Sequence, residues 1–472
     1  MDKTTKKEGM RQETDCLGSV FIDRRALYGI NTVRARDNFA VSNVKLGDQH
    51  DYVTALVMVK QAAAITNHQL GVLSTDKRDA IVAACQEIAN GAHRQWLIAD
   101  VLEGSGGTST NMNINEVIAN RALQLLDYQP GDYHQLHPND DVNCSQSTND
   151  VIPTAMHIAL LLRVPKLLIA LNELAESLCQ KRDEFSQVLR VGRTCLQSAQ
   201  PMTLGQAFSG YASVVKRCAS HIETAMTALN VVALGGTAIG TGFGAAESYR
   251  SRVVENLNDI SGLTLRAADE HFDVMQNADD IARLSAEIRI AAEMLGKIAT
   301  DLTLLGSDDA GGLGEIALPE QQAGSSIMPG KVNPVIPMLV QQIWFSIVGN
   351  DSVVSQAVSH GQLEINHFEP VMITRLFDSV DLLTNASQRF NDKCISGLMA
   401  HETRSLHNLL HSSALATALV PEMGYQKVAD IVRDKHQPSR SFMDTLEQEG
   451  LMTKEQAEDC LQRSVARDNS IE

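Results

Sequence analysis

Three stretches of the chain carry apolar residues at alternating spacings of three and four positions. The first consists of Tyr211, Val215, Cys218, Ile222, Ala225, Leu229 and Val232. The second consists of Ile281, Leu284, Ile288, Ala291, Leu295, Ile298, Leu302 and Leu305. The third consists of Ile336, Val340, Ile343 and Ile347. Such spacing puts each stripe on one helical face, so we interpret the stripes as core contacts of long helices that cross at a shallow angle in a bundle.

Two further regions are predicted to be helical. The segment from Thr154 to about Phe185 predicts another long helix, which Pro165 is expected to kink or restart. Beyond about residue 398 the stripes weaken, and short helices separated by charged turns are predicted at residues 424–431 and 453–461. This change in pattern predicts a small C-terminal domain.

The composition favours a helical globular protein. Hydrophobic residues make up 44% of the 472 positions and aromatic residues only 4%, which suits aliphatic packing along helices better than an aromatic-rich sheet core. The formal net charge of -17 argues against nucleic acid or an anionic membrane surface as a general partner. A carboxylate substrate would therefore need a local positive site, for which Lys331 is a candidate.

The cysteines and the N-terminus indicate a soluble protein in a reducing compartment. Eight cysteines are scattered at positions 16, 85, 144, 179, 195, 218, 394 and 460, without a Cys-x-x-Cys pair or a His and Cys cluster at metal-ligand spacing. We therefore predict no metal site and interpret most of these thiols as small buried hydrophobes. Residues 1–15 lack the apolar segment of a signal, and no apolar run approaches the ~20 residues of a transmembrane helix. A cytoplasmic location is expected.

A glycine-rich segment at residues 235–244 has the composition of a phosphate-binding loop but not its context. The segment lacks the Gly-Lys-Ser/Thr ending, and no alternating pattern of strands and helices surrounds it. We therefore interpret it as a connection that follows the first of the bundle helices.

The most informative polar segment is residues 324–334, which we call the signature loop. Its glycines permit backbone angles that are closed to other residues, and its prolines stiffen the ends. Four of its side chains offer hydroxyl, ammonium and amide groups suited to a carboxylate: Ser325, Ser326, Lys331 and Asn333. The segment therefore predicts a mobile catalytic loop that grips an anion, whereas composition alone leaves an ordinary surface loop as the alternative.

Three other polar clusters lie between apolar stretches, at residues 104–113, 143–150 and 192–197. In the first, glycines expose backbone N–H groups beside hydroxyls and amides, ahead of a helical run from Glu116. A helix N-terminus with free N–H donors is an anion site. The second cluster also precedes a helix. Each cluster taken alone is equally well explained as a helix cap.

The signature loop and the three polar clusters together resemble the characteristic segments of the aspartase/fumarase superfamily, in the same order and at comparable spacing. The resemblance extends from about Asp15 to the C-terminal region. Residues 235–244 resemble the glycine-rich turn between two central helices of that family. Within the superfamily, the segments at residues 332–337, 361–366 and 369–371 are closer to the aspartate ammonia-lyases than to the fumarases.

This resemblance implies an all-α, three-domain fold with a central long-helix bundle, and a homotetramer in which three subunits build each active site. On this basis we expect an N-terminal helical domain at residues 1–143, the central domain with the signature loop at 144–397, and a small C-terminal helical domain at 398–472. The expected partner is a small dicarboxylate substrate, with no cofactor and no bound metal. Activation by a divalent cation is left open.

The family also implies roles for individual residues. Ser325 corresponds to the catalytic base, and the substrate-binding positions are Thr108, Ser147, Thr148, Asn149, Thr194, Cys195, Ser326, Lys331 and Asn333. These roles are chemically reasonable, because removing a proton beside a carboxylate builds an aci-carboxylate whose extra negative charge needs preorganised donors. A serine hydroxyl is a poor base unless its alkoxide is stabilised, which backbone N–H groups of a closing loop and Lys331 can do.

Four positions depart from the family pattern. Cys195 stands where relatives carry His or Gln, Met338 where they carry Glu, Ser198 where they carry Asp, and Ala310 where they carry Arg. Together, Cys195 and Met338 exchange a polar corner near the leaving group for an apolar one and avoid an unpaired buried carboxylate. Compensated drift is one interpretation of this pair. The other is a leaving group different from plain ammonia, such as a substituted amine.

The sequence therefore predicts a fumarate-forming carbon-nitrogen lyase, with anti elimination of ammonia from L-aspartate as the first hypothesis. The same chemistry on an N-substituted aspartate or on malate is the second. A helical scaffold that has lost catalysis is the third. Retention of Ser325, Lys331 and Asn333 argues against the scaffold, which would have no need of all three.

Overall fold

The computed structural model describes residues 9–308, 311–412, 414–433 and 442–466. Helices dominate these residues, as the apolar stripes predict. In chain order they are α1 (Ile30–Phe39), α2 (His50–Gln69), α3 (Thr75–Ala89), α4 (Thr108–Leu125), α5 (Thr148–Glu184), α6 (Leu204–Met226), α7 (Tyr249–Ser261), α8 (His271–Val274), α9 (Asp279–Leu305), α10 (Val335–Ser359), α11 (Glu369–Phe390), α12 (Glu402–Leu410), α13 (Ala414–Met423), α14 (Tyr425–Arg433), α15 (Phe442–Gln448) and α16 (Lys454–Ala466).

The strands are short and pair two by two. Strand β1 (Met10–Asp15) is antiparallel to β2 (Gly18–Asp23), and β3 (Leu189–Thr194) is antiparallel to β4 (Gln197–Thr203). Strand β5 (Val231–Val232) is parallel to β6 (Arg266–Ala267), and β7 (Ile316–Ala317) is antiparallel to β8 (Met399–Ala400). Within the described ranges no sheet exceeds two strands. The predicted all-α fold is confirmed.

Two compact units make up the chain. The first contains Met1–Leu167, His221–Ile288 and Ile347–Asp381, and the second contains Leu168–Ser220, Arg289–Ser346 and Leu382–Glu472. Each unit contains parts of α5, α6, α9, α10 and α11. The three predicted domains, with boundaries at residues 143 and 397, stay a prediction.

In the first unit, α2 packs against α3 and α7, and α3 packs against α4. A carboxylate joins α4 to α1: Glu116 accepts the backbone N–H of Gly29 at 2.7 Å and that of Thr32 at 3.1 Å. These bonds satisfy N–H groups at the start of α1 that have no partner within the helix. The N-terminus of α1 is therefore fixed on α4, which begins at Thr108, inside the first polar cluster and earlier than the predicted start near Glu116.

In the second unit, the β3–β4 hairpin packs against α12, α13 and α16. Val191 of the hairpin lies in the same apolar core as Leu409, Leu419, Leu446 and Leu461 of the C-terminal helices. The short helices predicted at residues 424–431 and 453–461 are confirmed as α14 and α16. This core fixes the hairpin that carries the third polar cluster.

Of the three stripes, the one on α9 is confirmed in full, because its eight members are between 0% and 4% exposed. On α10, Val340 and Ile347 are buried at 2% and 0% exposure, whereas Ile336 and Ile343 are only half-buried. The third stripe is therefore only partly covered within the chain.

The prediction that the first stripe forms one helix through Val232 is wrong. Helix α6 ends at Met226, Leu229 lies in a short 3-10 turn (Thr227–Asn230), and Val232 belongs to β5. Both residues are nevertheless fully buried. Pairing of β5 with β6 replaces the helix here, because tertiary strand contacts override the local helical period.

Helix α5 begins at Thr148, earlier than predicted, and continues through Pro165 without a restart. By length and composition alone it is the one described helix that is apolar enough to cross a membrane. However, 67% of its most apolar window is buried inside the protein, as expected of a core helix.

Candidate active site

The signature loop leads into α10 and has no regular secondary structure. Within it, Ser325 Oγ accepts the backbone N–H of Ile327 at 3.2 Å and that of Met328 at 3.1 Å. Two amide dipoles therefore point at the oxygen that would carry negative charge in an alkoxide. Hydrogen bonds to the charged form favour deprotonation, so these donors suit the role predicted for Ser325.

The ends of the signature loop are tied together. Gly324 donates its N–H to the carbonyl of Lys331 at 2.9 Å, and Asn333 Nδ2 donates to the carbonyl of Gly324 at 3.2 Å. A Cβ on Gly324 would lie 2.5 Å from the Lys331 carbonyl oxygen, so this close approach requires glycine. The side chains of Ser326 and Lys331 are exposed to solvent.

A carboxylate of the chain itself occupies the N-terminus of α4. Glu103 Oε2 accepts the N–H of Ser109 at 2.7 Å, and Glu103 Oε1 accepts the N–H of Thr110 at 3.1 Å. The hydroxyl of Ser105 donates to the same carboxylate. The prediction that the N–H groups at this helix N-terminus are free is therefore wrong for Ser109 and Thr110. Thr108 is the first residue of α4, and its side chain is exposed.

The second polar cluster is held by α2. Lys60 Nζ donates to Asn143 Oδ1 at 2.9 Å and to Gln146 Oε1 at 3.0 Å. Asn67 Nδ2 donates to the carbonyl of Cys144 at 2.9 Å. Burial lowers the pKa of Lys60 to about 7. These bonds fix the backbone that leads into the predicted residues Ser147, Thr148 and Asn149.

A hydrogen bond connects the first two polar clusters. Asn111 Nδ2, one turn after Thr108, donates to Thr148 Oγ1 at 3.1 Å and to Asn143 Oδ1 at 3.1 Å. Thr148 is the first residue of α5. The bond therefore fixes the first turn of α4, which begins at Thr108, to Thr148 at the start of α5.

Asp150 is absent from the predicted site, yet it joins Ser147 of that site to the glycine-rich segment. Its Oδ1 accepts the N–H of Ser147 at 2.9 Å, and its Oδ2 accepts the N–H groups of Gly235 and Thr237 at 3.0 Å each. Burial raises the pKa of Asp150 to about 6. The pattern Ser147-x-x-Asp150 is a capping box, and this signal could have revealed the residue from the sequence.

The glycine-rich segment also contacts a predicted site residue. Asn149 Nδ2 donates to the carbonyl of Ala238 at 2.8 Å. The segment lies between β5 and α7, which fits the predicted connection between helices. Its role in the structure is to hold Asn149 and Asp150 at the start of α5.

The third polar cluster forms the turn of the β3–β4 hairpin, so the helix cap considered for it is wrong. Thr194 ends β3 and pairs with Gln197 of β4. Cys195 and Leu196 form the turn, with φ angles of 52° and 62°. Positive φ at both central positions is the geometry of a type I′ turn, which matches the twist of the flanking strands. Thr194 and Cys195 are exposed.

The predicted site residues divide between the two units. The first unit contains Thr108, Ser147, Thr148 and Asn149. The second unit contains Thr194, Cys195, Ser325, Ser326, Lys331 and Asn333. Across the ranges that the structure describes, no group of three or more His, Cys, Asp or Glu could hold a metal ion.

The departures from the family pattern are placed as follows. Met338 lies in the first turn of α10 with 43% of its surface exposed. Ser198 lies in β4 opposite Arg193. Ala310 is outside the described residues. The proposed coupling of Cys195 with Met338 stays a prediction.

Comparison with known proteins identifies the class. A family model described as "Lyase" matches residues 18–349. An aspartate ammonia-lyase of Pseudomonas canavaninivorans is 43% identical over 96% of this chain and 95% of its own length. One of Bacillus subtilis is 42% identical over 94% of each chain. The chain therefore belongs to the lyase family, and its predicted resemblance to the aspartase branch of that family is confirmed.

Solved structures support the same conclusion. A Brucella melitensis structure described as fumarate lyase:delta crystallin bound to cobalt has a TM-score of 0.93 and 42% identity, covering 96% of this chain and 99% of that chain. A class II fumarase of Schistosoma mansoni has a TM-score of 0.88 and 32% identity, covering 96% and 98%. The predicted fold is thus shared with a protein described as fumarate lyase:delta crystallin and with a class II fumarase.

Proposed function

We propose that the protein is an aspartate ammonia-lyase that converts L-aspartate to fumarate and ammonia. The observation that carries this proposal is the hydroxyl oxygen of Ser325, which accepts two backbone N–H groups in the same loop as Lys331. The curated relatives named aspartate ammonia-lyase support the choice of substrate, because they match the chain over nearly its whole length.

The chemistry begins with removal of a proton from the carbon beside one carboxylate. Ser325, as its alkoxide, takes this proton, and the substrate becomes an aci-carboxylate with an extra negative charge. The C–N bond then breaks, the electron pair of the new double bond comes from the aci-carboxylate, and ammonia leaves on the opposite face. Fumarate is the product. The backbone N–H groups of Ile327 and Met328 stabilise the base, and Lys331 with Asn333 meets the developing charge.

Binding of the substrate carboxylates is assigned to the polar residues at the starts of α4 and α5. Thr108, Ser147, Thr148 and Asn149 offer hydroxyl and amide groups, and Ser326 adds a hydroxyl from the signature loop. Thr194 and Cys195 are assigned to the side of the leaving group. The bonds from Asn111 to Thr148 and from Asn149 to Ala238 support this assignment, because they hold the donors in place before a ligand arrives.

We also propose a homotetramer in which three subunits contribute to each active site. Supporting evidence lies on α10, where Met338, Leu339 and Phe345 are 43%, 38% and 60% exposed. Exposed apolar side chains on a long helix are typical of a surface that another chain covers. Light scattering should give a mass of four chains at micromolar concentration. A mass of one chain, 51.3 kDa, would overturn the assembly.

The enzyme is proposed to act in the cytoplasm and to need no resident cofactor, with a divalent cation at most as an activator. The direct experiment is to incubate purified protein with L-aspartate and to measure fumarate by ultraviolet absorbance and ammonia by a coupled assay. Equal amounts of both products support the proposed elimination. Absence of both products with native tetramer present would overturn it.

One observation favours a second candidate substrate. Cys195 and Met338 supply few acceptors for the ammonium group of L-aspartate, whose three N–H donors need partners. An N-substituted aspartate, with fewer N–H donors on its leaving group, would tolerate that corner better. Cys195→Gln with Met338→Glu should then raise activity on L-aspartate more than either single change, because the new Glu alone lacks a partner.

A further inference from the structure

A buried carboxylate in the second unit binds two arginines of the β3 strand. Glu315 Oε2 accepts Arg190 Nε at 2.9 Å, and Glu315 Oε1 accepts Arg193 Nη2 at 2.7 Å. The Glu315 side chain is 0% exposed, and those of Arg190 and Arg193 are 8% and 14% exposed. Burial opposes ionisation, but the two guanidiniums outweigh it and hold the pKa of Glu315 below its usual value.

Helix α12 keeps this carboxylate in position. Asn408 Nδ2 donates to Glu315 Oε1 at 3.2 Å, and the N–H of His401 donates to the carbonyl of Glu315 at 2.9 Å. Ser405 Oγ donates to the same carbonyl at 3.4 Å. Glu315 is thus bound through both its side chain and its backbone. Because Arg190 and Arg193 both bind it, Glu315 holds the β3–β4 hairpin in place.

The turn that follows Arg193 is strained. Cys195 and Leu196 both adopt positive φ, and an L-residue in that region costs on the order of 1 kcal/mol. Neither side chain offsets this cost by packing within the chain, since both are exposed and Leu196 is 68% exposed. Strained residues persist where the surrounding structure determines their conformation. Arg193 is the nearest residue on the β3 side whose side chain is anchored in the buried interior.

We propose that Arg193 and Glu315 are positioning residues that hold the Thr194 and Cys195 turn in its strained conformation. The inference rests on the proposed function, which assigns this turn to the leaving-group side of the substrate. The two residues do not touch substrate. They act through the turn, because Arg193 is bonded directly to Thr194 in the chain and its guanidinium is fixed on Glu315.

Arg190 supplies a matched control. It binds the same carboxylate at a similar distance, but it lies three positions earlier and its side chain is slightly more buried. Replacement of either arginine by methionine removes one of the two cations from Glu315 and leaves the other. A merely structural role of the ion pairs therefore predicts the same behaviour for both variants. A positioning role predicts that only Arg193→Met disturbs the turn.

The kinetic test compares wild type, Arg193→Met and Arg190→Met with L-aspartate and with succinate as a competitive probe that lacks the amino group. In Arg193→Met, kcat should fall at least about tenfold, because small misplacements of site groups are costly, while succinate inhibition changes less than about twofold. Arg190→Met should keep kcat and succinate inhibition near the wild-type values, even if its melting temperature falls as far as that of Arg193→Met. Added guanidinium should restore part of the activity of Arg193→Ala.

A second measurement does not depend on catalysis. Hydrogen exchange of the amides at residues 194–198 should be at least about tenfold faster in Arg193→Met than in wild type, and unchanged in Arg190→Met. If wild type forms no fumarate, the proposed function fails while this comparison still decides the positioning role. Equal exchange and equal kcat in the two methionine variants overturn the inference. If Arg193→Met does not fold, Arg193→Gln, which also removes the cation from Glu315, provides the same comparison, and wild-type exchange in that variant together with intact kcat would also overturn the inference.

Discussion

Met328 donates its backbone N–H to Ser325 Oγ at 3.1 Å. The two residues are three positions apart, so the bond is made inside the signature loop and needs no partner from elsewhere. Ile327 adds a second N–H at 3.2 Å. This local geometry means that the loop itself supplies the N–H donors that would stabilise an alkoxide at Ser325, the proposed base.

The first prediction concerns the base. Ser325→Ala should lower kcat for L-aspartate by at least about a hundredfold, because a positioned general base is worth that much, and should leave the melting temperature and oligomeric state unchanged. Steady-state kinetics with light scattering checks both parts. Ser326→Ala, the neighbouring serine whose side chain is exposed, is the control and should lose less. Near-normal turnover of Ser325→Ala would remove this residue from the mechanism.

Lys331 should contribute to both binding and turnover. In the proposed mechanism its cation meets substrate charge in the ground state and additional charge in the transition state, so Lys331→Met should raise KM and lower kcat together. Lys427→Met, which removes an exposed lysine of α14, controls for the change in net charge. Inhibition by succinate, measured in parallel, reports the ground state alone. Unchanged affinity for succinate in Lys331→Met would place the substrate carboxylate elsewhere.

Glu103 should stabilise the start of α4. Its carboxylate accepts the N–H groups of Ser109 and Thr110, so Glu103→Ala should lower the free energy of unfolding by about 1–2 kcal/mol, the usual cost of losing a helix cap. Glu103→Gln keeps one acceptor and should lose less. Because Thr108 is the first residue of the same helix, kcat/KM should fall in the same order. Urea denaturation with wild-type stability for Glu103→Ala would contradict this role.

Stability should depend on pH through Lys60. Burial lowers its pKa to about 7, whereas the unfolded chain keeps the ordinary value of 10.5. Between these values the unfolded state binds more protons, so the contribution of Lys60 to the free energy of unfolding rises with pH, by up to about 1.4 kcal/mol per pH unit. Below about pH 7, Lys60 is charged in both the folded and the unfolded state, so the full cost of burying its charge lowers the free energy of unfolding.

Lys60→Met isolates this effect. The free energy of unfolding of wild type minus that of the variant should increase when urea denaturation is repeated at about pH 7, 8 and 9. The charged and titratable neighbours that act on Lys60 are Asp150 and Cys85, and both remain in the variant. A difference that stays constant with pH would show that Lys60 is not desolvated as its burial indicates.

The spacing of apolar residues predicted those helices whose buried face depends only on residues within the same helix. The stripe from Ile281 to Leu305 identifies a buried helical face because residues three and four apart share that face regardless of the rest of the chain. The first stripe continued past the end of α6 because Leu229 and Val232 are buried in a turn and a strand instead. An apolar residue can be buried equally well in a helix, a turn or a strand, so burial alone does not distinguish these three structures.

The contacts that hold the site were harder to predict because they join distant residues. Lys60 reaches Asn143, Asp150 reaches Gly235, and Glu315 reaches Arg193, in each case over many positions of sequence. The polar clusters indicated where hydrogen-bond donors gather. However, the Gly, Arg and Thr residues of the third cluster are equally typical of a helix cap and of a hairpin turn. Only the pairing of β3 with β4 distinguishes the two at Thr194.

The most direct test of the account is the rate of fumarate formation, followed by ultraviolet absorbance, from L-aspartate, L-malate and an N-substituted aspartate in parallel. If the protein is an aspartate ammonia-lyase, kcat/KM for L-aspartate should exceed that for either alternative by at least about a hundredfold, and Ser325→Ala should abolish the difference. A protein that forms fumarate fastest from L-malate or from the N-substituted aspartate, or that forms none from any of them, would contradict it.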